Sequence, residues 1–348
     1  MNAPLVVFRC DAGPAHGTGH VRRCRALAEA MREAGWRTVF ATDLVSPNFV
    51  PELADEADGL LLIDTGESVD EQATRLKEIA AGSIQVLVVD HYGLDARFEQ
   101  ACRPMVDILV ALDDLADRPR DADLLFDTAL GRNGSDYTDL VPQGCSVLTG
   151  PDYALLAPQF ARMRPASLQR RDRLNLARLM ISLGGVDAGP VLERLVDGLA
   201  QAEYSGWLTV VLGCDMAVAG RLRERTGDPF TLEVAIAVRD MAERLLVTDL
   251  VVGAGGSSAW ERCALGVPTL LVVTAHNQDL ITKGLARAGA VYLLGWHEEV
   301  DANQIAAAMA SLTREALLAM GARAAQVCDG EGARRTAQQI ITTYQRAT

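Results

Sequence analysis

Short apolar runs alternate with amphipathic helical stripes along the whole chain, and this alternation is what most limits the fold. The runs fall at 5–9, 38–41, 60–63, 86–89, 108–112 and 124–126, then at 179–183, 209–212, 232–235, 250–252, 269–273 and 291–294. Several are β-branched and apolar on both faces, as strands sandwiched between helix layers must be. Between them lie stretches such as 20–34, where Val21, Cys24, Leu27, Ala28 and Met31 form one helical stripe and Gly35 supplies a stop. A βαβα order predicts parallel sheets with right-handed crossovers. The 348 residues make roughly two domains at about 150 residues each. The polar, Arg-rich segment 164–176 is expected to link a first domain, 1–163, to a second, 177–348. The expected fold is therefore α/β, with two doubly wound, Rossmann-like domains.

Charge and cysteine usage narrow the function. With 46 acidic and 33 basic residues the net charge is −13, so a general nucleic-acid binder, which needs a basic footprint, is not expected. Anionic small ligands remain open, because backbone N–H groups at helix starts can hold them. The seven cysteines are scattered, with no C-x-x-C and no His at zinc spacing. That suits reduced thiols in a cytoplasmic protein. No apolar run approaches the ~20 residues needed to span a bilayer, and the amino end enters a strand-like run without a basic leader. Stable membrane association is not expected. Nothing in the pattern sets an oligomeric state.

Ligands of open α/β sheets sit beyond the carboxyl ends of the strands, so the loops there carry the functional reading. The first, Cys10 to Arg22, joins the first strand to the first helix. It approaches a dinucleotide fingerprint, but Arg22 stands where the third glycine is needed for close helix–strand packing. Gly17 and Gly19 permit a tight bend and put His20 in the first helical turn. A helix N-terminus disfavours imidazolium, and a neutral imidazole is a competent general base. A capping or packing histidine is the alternative. The loop Ser182–Gly189 offers Gly184, Gly185 and Val186, either for a phosphate or for a turn.

In a third loop a buried strand ends in Gly253-Ala254-Gly255-Gly256-Ser257-Ser258. Either serine can cap the next helix, whose free N–H groups suit an anion. Glu261, one turn in, suits the two hydroxyls of a ribose, or is an ordinary first-turn acid favoured by the helix dipole. Asn277 and Gln278, after the strand at 269–273, suit sugar hydroxyls or an acetamido group, or are a capping cluster. In the first domain, Asp90-His91-Tyr92 and Asp113-Asp114 follow two strands and either face a ligand or are solvated loop acids.

RCDAGPAHGTGHVRRC (9–24), VVDHYGLD (88–95), ALDDLADR (111–118), LTGPDYALLAPQF (148–160), MISLGGVDAG (180–189), VGAGGSSAWERCALGVPTLLV (252–272), Asn277-Gln278 and VCDGEGARR (327–335) occur in this order. Together they resemble the UDP-2,4-diacetamido-2,4,6-trideoxy-β-L-altropyranose hydrolases of pseudaminic acid biosynthesis. These are relatives of the peptidoglycan N-acetylglucosaminyltransferase. The resemblance covers nearly the whole chain. It implies the GT-B fold with a UDP-sugar between the domains, a final helix over 332–344 that braces the first domain, no cofactor and no metal. It implies His20 as the catalytic residue and Asp11, Tyr92, Asn277 and Gln278 on the sugar. Gly19, Gly185, Val238, Met241, Gly255, Gly256, Ser257 and Glu261 would bind UDP. Two positions depart from the family pattern: Val186 replaces a small polar residue, and Asp127 stands where asparagine is common.

The expected chemistry follows from the leaving group. UDP departs as a stable anion, so the paired carboxylates of an ordinary inverting glycosidase are not both required. One base to activate water, with a helix start to hold the departing diphosphate, suffices. A glycosyltransferase of the same fold, a hydrolase for a different acetamido sugar and a non-catalytic nucleotide-sugar binder are the rivals.

Overall fold

The structure is a computed structural model that describes residues 3–13, 17–56, 58–79, 84–184 and 189–348. Its strands are β1 (Leu5–Cys10), β2 (Arg37–Asp43), β3 (Gly59–Ile63), β4 (Ile84–Asp90), β5 (Val106–Leu112), β6 (Leu124–Asp127), β7 (Ser146–Thr149), β8 (Arg178–Ser182), β9 (Trp207–Leu212), β10 (Thr231–Ile236), β11 (Leu250–Ala254), β12 (Thr269–Val273) and β13 (Tyr292–Trp296). Each of the twelve apolar runs forms one of them. The thirteenth, β7, is a four-residue edge strand with polar ends, too short to leave a pattern.

Two sheets result, ordered β3-β2-β1-β4-β5-β6-β7 and β10-β9-β8-β11-β12-β13, with every described pairing parallel. In both, the chain winds outward to one edge, returns to the centre and winds outward again. That reversal is the doubly wound Rossmann pattern, and ligands bind where the order switches. The switch strands are β1 and β4 in one sheet, β8 and β11 in the other. They are buried throughout, apart from Gln85 in β4 and the ends of β8.

The chain divides into two compact units, Met1–Pro158 with Glu331–Thr348, and Gln159–Gly330. The last helix, Gly332–Ala347, belongs to the first unit. Ala333, Ala337 and Ile340 enter the same core as Leu27 and Met31, and Tyr344 meets Trp36 edge-on at 5.2 Å.

The segment expected as a linker is largely helical. Helix Pro158–Arg171 runs through it and lies, from Gln159 onward, in the second unit. Three of its polar residues point at carbonyls, while Arg162 and Gln169 are exposed and Arg170 pairs with Asp249. Arg164 donates to the oxygens of Ala264, Ala325 and Cys328, Ser167 to that of Leu265, and Arg171 to those of Leu245, Leu246 and Thr248. These acceptors cluster at the ends of three helices, Met241–Val247, Ser258–Ala264 and Arg314–Val327, where carbonyls lack intrahelical partners. The arginines therefore serve as C-terminal caps, which is why the composition resembles a linker while the segment is integral. Among the described residues no single helix is long and apolar enough to cross a membrane.

Candidate functional site

In the first unit, β1 and β4 lie side by side with Cys10 opposite Asp90, so the loop after β1 meets the end of β4. Gly13 and Gly17 exchange two backbone hydrogen bonds, of 3.0 and 2.7 Å. Gly17 has φ +66°, a conformation that a Cβ would disfavour. This closure places Thr18 at the N-cap and His20 as the second residue of helix Gly19–Glu33.

His20 is 7% exposed and its Nδ1 lies 2.6 Å from an oxygen of Asp90. Asp90 is fully buried and also takes both arms of Arg23, at 2.6 and 2.5 Å. Burial raises the carboxyl pKa, but Arg23 and His20 outweigh it and hold Asp90 well below the usual carboxylate range. A permanently ionised acceptor fixes the imidazole tautomer: Nδ1–H donates to Asp90, and Nε2 is the basic nitrogen. Nε2 makes no hydrogen bond to a described residue. The Tyr92 ring packs edge-on against the imidazole at 4.5 Å, and its hydroxyl donates to Asp114 at 3.1 Å. Arg23 reaches the same Asp114 oxygen at 3.2 Å. A base, the carboxylate that orients it and a cation that keeps that carboxylate ionised thus form one rigid group.

Asp11 behaves differently. It is 2% exposed and receives Arg9 at 2.5 Å, the Asp43 N–H at 2.8 Å and His91 Nε2 at 3.0 Å. Its oxygens are spent holding the loop. Farther along the sheet, Asp127 accepts from Arg132 at 2.6 Å and from the Tyr137 hydroxyl at 2.8 Å. Burial keeps its carboxyl pKa raised even against these partners. Tyr137 also donates to Asp113 at 3.1 Å.

In the second unit, β11 ends at Ala254 and helix Ser258–Ala264 begins four residues on. Gly255 is required by space, since a Cβ there would overlap the Thr282 methyl. Gln278 Oε1 accepts from the N–H groups of Gly255, at 3.2 Å, and Thr274, at 3.0 Å, tying the turn to the end of β12. Ser257 is the N-cap but its hydroxyl makes no cap bond. The N–H groups of Gly256, Ser257 and Ser258 find no partner among the described residues. Glu261 and Met241 line a small cavity with Ser182, Ser258 and Arg262. Its volume, about 10 Å³, is that of one water, so it is a gap under the turn, not a nucleoside pocket. A cavity of about 310 Å³ lies among Leu176, Tyr204, Ser205 and Met309, just before β8 and β9 begin, and shares no residue with the candidate sites.

No family model matches the chain. It is 24% identical over 345 residues to the spore coat polysaccharide biosynthesis protein SpsG of Bacillus subtilis strain 168, with 97% of each chain covered. It is 26% identical over 182 residues to the UDP-2,4-diacetamido-2,4,6-trideoxy-β-L-altropyranose hydrolase of Campylobacter jejuni, covering 52% of this chain and 61% of that protein. Among solved structures, MurG of Acinetobacter baumannii superposes with a TM-score of 0.71 at 15% identity, covering 97% of this chain and 99% of that one. The chain has the GT-B fold. At 15% identity, the likeness to MurG speaks for that fold alone.

Within the GT-B frame, the candidate residues sort by neighbourhood. His20, Gly19 and Tyr92 gather around Asp90. Gly255, Gly256, Ser257 and Glu261 form one turn and helix start, braced by Gln278, with Asn277 beside it in a single 3₁₀ turn. Val238 lies in the bend between β10 and helix Met241–Val247, directly after Ala237, whose φ is +48°. Gly185 and Val186 lie outside the described residues. Arg23 and Arg262 were not singled out from the sequence as site residues. Arg23 read as one of several charges on an amphipathic helix, and only the register of β1 on β4 reveals its partner.

Proposed function

We propose that this protein hydrolyses UDP-2,4-diacetamido-2,4,6-trideoxy-β-L-altropyranose to UDP and the free sugar, as a cytoplasmic step of nonulosonate (pseudaminic acid) biosynthesis. The observation that carries the reading is the buried Asp90–His20 pair at a helix start, clamped by Arg23. The similarity to the Campylobacter jejuni hydrolase supplies the substrate.

His20 Nε2 takes a proton from water as the water oxygen bonds to the anomeric carbon. The bond from that carbon to the β-phosphate oxygen breaks, its electron pair leaves with UDP, and configuration inverts. Asp90 holds the imidazole in the required tautomer and balances the imidazolium that forms. Gly19, Gly185, Gly256 and Ser257 hold the diphosphate through backbone N–H groups, on a turn that Gly255 shapes with its own N–H on Gln278. Glu261 takes the ribose, and Val238 and Met241 the uracil. Tyr92 and Asn277 contact the acetamido sugar. Asp11 and Gln278 shape the two loops that do so, since their polar atoms are already engaged. No cofactor or metal enters the scheme, and the departing anion makes a second catalytic carboxylate unnecessary.

The fold shared with MurG favours one rival, transfer of the sugar to an acceptor. Purified protein is given this UDP-sugar, or UDP-N-acetylglucosamine as control, with no acceptor present. Release of UDP from the first substrate alone is the expected outcome. Binding without release, followed by turnover on adding an acceptor, would replace hydrolysis with transfer.

A further inference from the structure

Arg262 lies on helix Ser258–Ala264 and is 3% exposed. One arm of its guanidinium donates to the Ala254 carbonyl at 2.5 Å and the other to the Ser258 hydroxyl at 3.1 Å, while Nε has no partner. The group therefore spans the glycine turn from behind, joining the last residue of β11 to the first of the helix. Its fit is tight: a Cβ on Gly253 would come within 2.8 Å of Cζ.

Its electrostatics differ from those of the first unit's buried arginines, while in its own unit Arg171 likewise bonds only to neutral oxygens. In the first unit Arg9, Arg23, Arg120 and Arg132 are also deeply placed, and each pairs with a carboxylate within 3.3 Å. Arg262 forms no ion pair among the described residues, and Glu261 acts on it only at longer range. Burial lowers its pKa to about 10, so the group stays charged at neutral pH. A buried cation without a counter-ion is costly. Three N–H groups without partners, on Gly256, Ser257 and Ser258, lie on the turn it backs.

We infer that Arg262 is a positioning residue whose charge, behind the Gly255–Ser257 turn, is the counter-charge for the ligand's diphosphate. This rests on the reading that the turn binds UDP. The anion completes a charge balance that the folded protein leaves open, and the clamp from Ala254 to Ser258 keeps the turn's N–H groups aimed outward.

The test is calorimetric titration of the full-length protein with UDP and with uridine, for wild type, Arg262→Gln and Arg262→Lys, each checked for folding by thermal melting. Arg262→Gln should weaken UDP by about tenfold, the size of one charge-assisted contact, and leave uridine unchanged. Arg262→Lys should stay close to wild type for both. Equal weakening of UDP and uridine, or an unchanged UDP affinity in Arg262→Gln, would overturn the inference. Should Arg262→Gln fail to fold, Arg262→Lys decides: a retained preference for UDP over uridine supports the charge, and its loss in a folded protein overturns it. Wild type that is folded yet binds no UDP would instead bring down the reading of the turn itself.

Discussion

In the first unit, β4 ends in Asp90, β5 runs into Asp113 and Asp114, and β6 ends in Asp127. In the second, the strands at the same places, β11 and β12, end in Ala254-Gly255-Gly256-Ser257 and in Thr274-Ala275. One strand order thus carries two kinds of edge. The first is built of carboxylates held by their neighbours, with Asp90 between Arg23 and His20 and Asp127 between Arg132 and Tyr137. The second is built of small residues that leave backbone N–H groups unused, with its charge withdrawn behind the turn on Arg262. Charged edges hold a proton acceptor in one tautomer. Uncharged edges let an anion approach the backbone. The shared winding positions both at a switch point without dictating either.

Four substitutions separate these roles. The largest effect is expected for His20→Ala, which should lower UDP release by about a thousandfold, the usual worth of a general base. UDP affinity should hold, and the melting temperature should fall by a few degrees because Asp90 loses one buried donor. A loss of UDP binding in the same variant would assign His20 to the ligand instead of the proton, and direct calorimetry distinguishes the two.

Asp90→Asn comes next. It leaves Arg23 buried beside a neutral amide, and breaking a buried pair costs about 3 kcal/mol or more. Denaturant titration should show that loss at pH 7. Because the Asp90 carboxyl is held below its ordinary value, its contribution is complete above the unfolded pKa and falls away below about pH 4. The gap between wild type and variant should therefore narrow in acid. A gap that does not change with pH would contradict the ionised pairing.

Gly255→Ala tests the other edge. Its methyl meets Thr282 Cγ2, and such overpacking costs about 1–3 kcal/mol. UDP affinity should fall while the tautomer-holding edge is untouched. Adding Thr282→Ser removes the opposing methyl and keeps a hydroxyl for its bond to the Asp279 carbonyl at 2.9 Å, so the double variant should recover much of the affinity. Failure to recover would mean that glycine is needed there for a reason other than space.

The smallest effect belongs to Tyr92→Phe. It deletes one hydrogen bond to Asp114 and keeps the ring against His20, so stability should fall by about 1 kcal/mol. Any larger change in kcat than in KM would show that the hydroxyl also serves the reaction.

Much of this was legible beforehand. Both sheets follow from apolar runs whose length and β-branching are local properties, and β7 escaped because Ser146–Thr149 is too short and polar to carry a pattern. His20 and the turn at Gly255 could be found because glycines mark where a chain bends at a strand end. The partners could not. Asp90 lies 70 positions from His20, and only the crossover from β1 to β4 brings them together. Segment 164–176 misled for a related reason, since Arg164, Ser167 and Arg171 are satisfied by carbonyls 74 to 164 positions away whose exposure only the assembled helices determine. Asp11 and Gln278 matched the motif, but their hydrogen bonds go to the loops.

The most direct measurement of the central claim follows UDP release in oxygen-18 water from UDP-2,4-diacetamido-2,4,6-trideoxy-β-L-altropyranose, with wild type and His20→Ala side by side and no acceptor. The expected result is label in the free sugar, none in UDP, and a rate that collapses in the variant. Label in UDP, or an undiminished rate in His20→Ala, would contradict water attack at the anomeric carbon driven by this histidine.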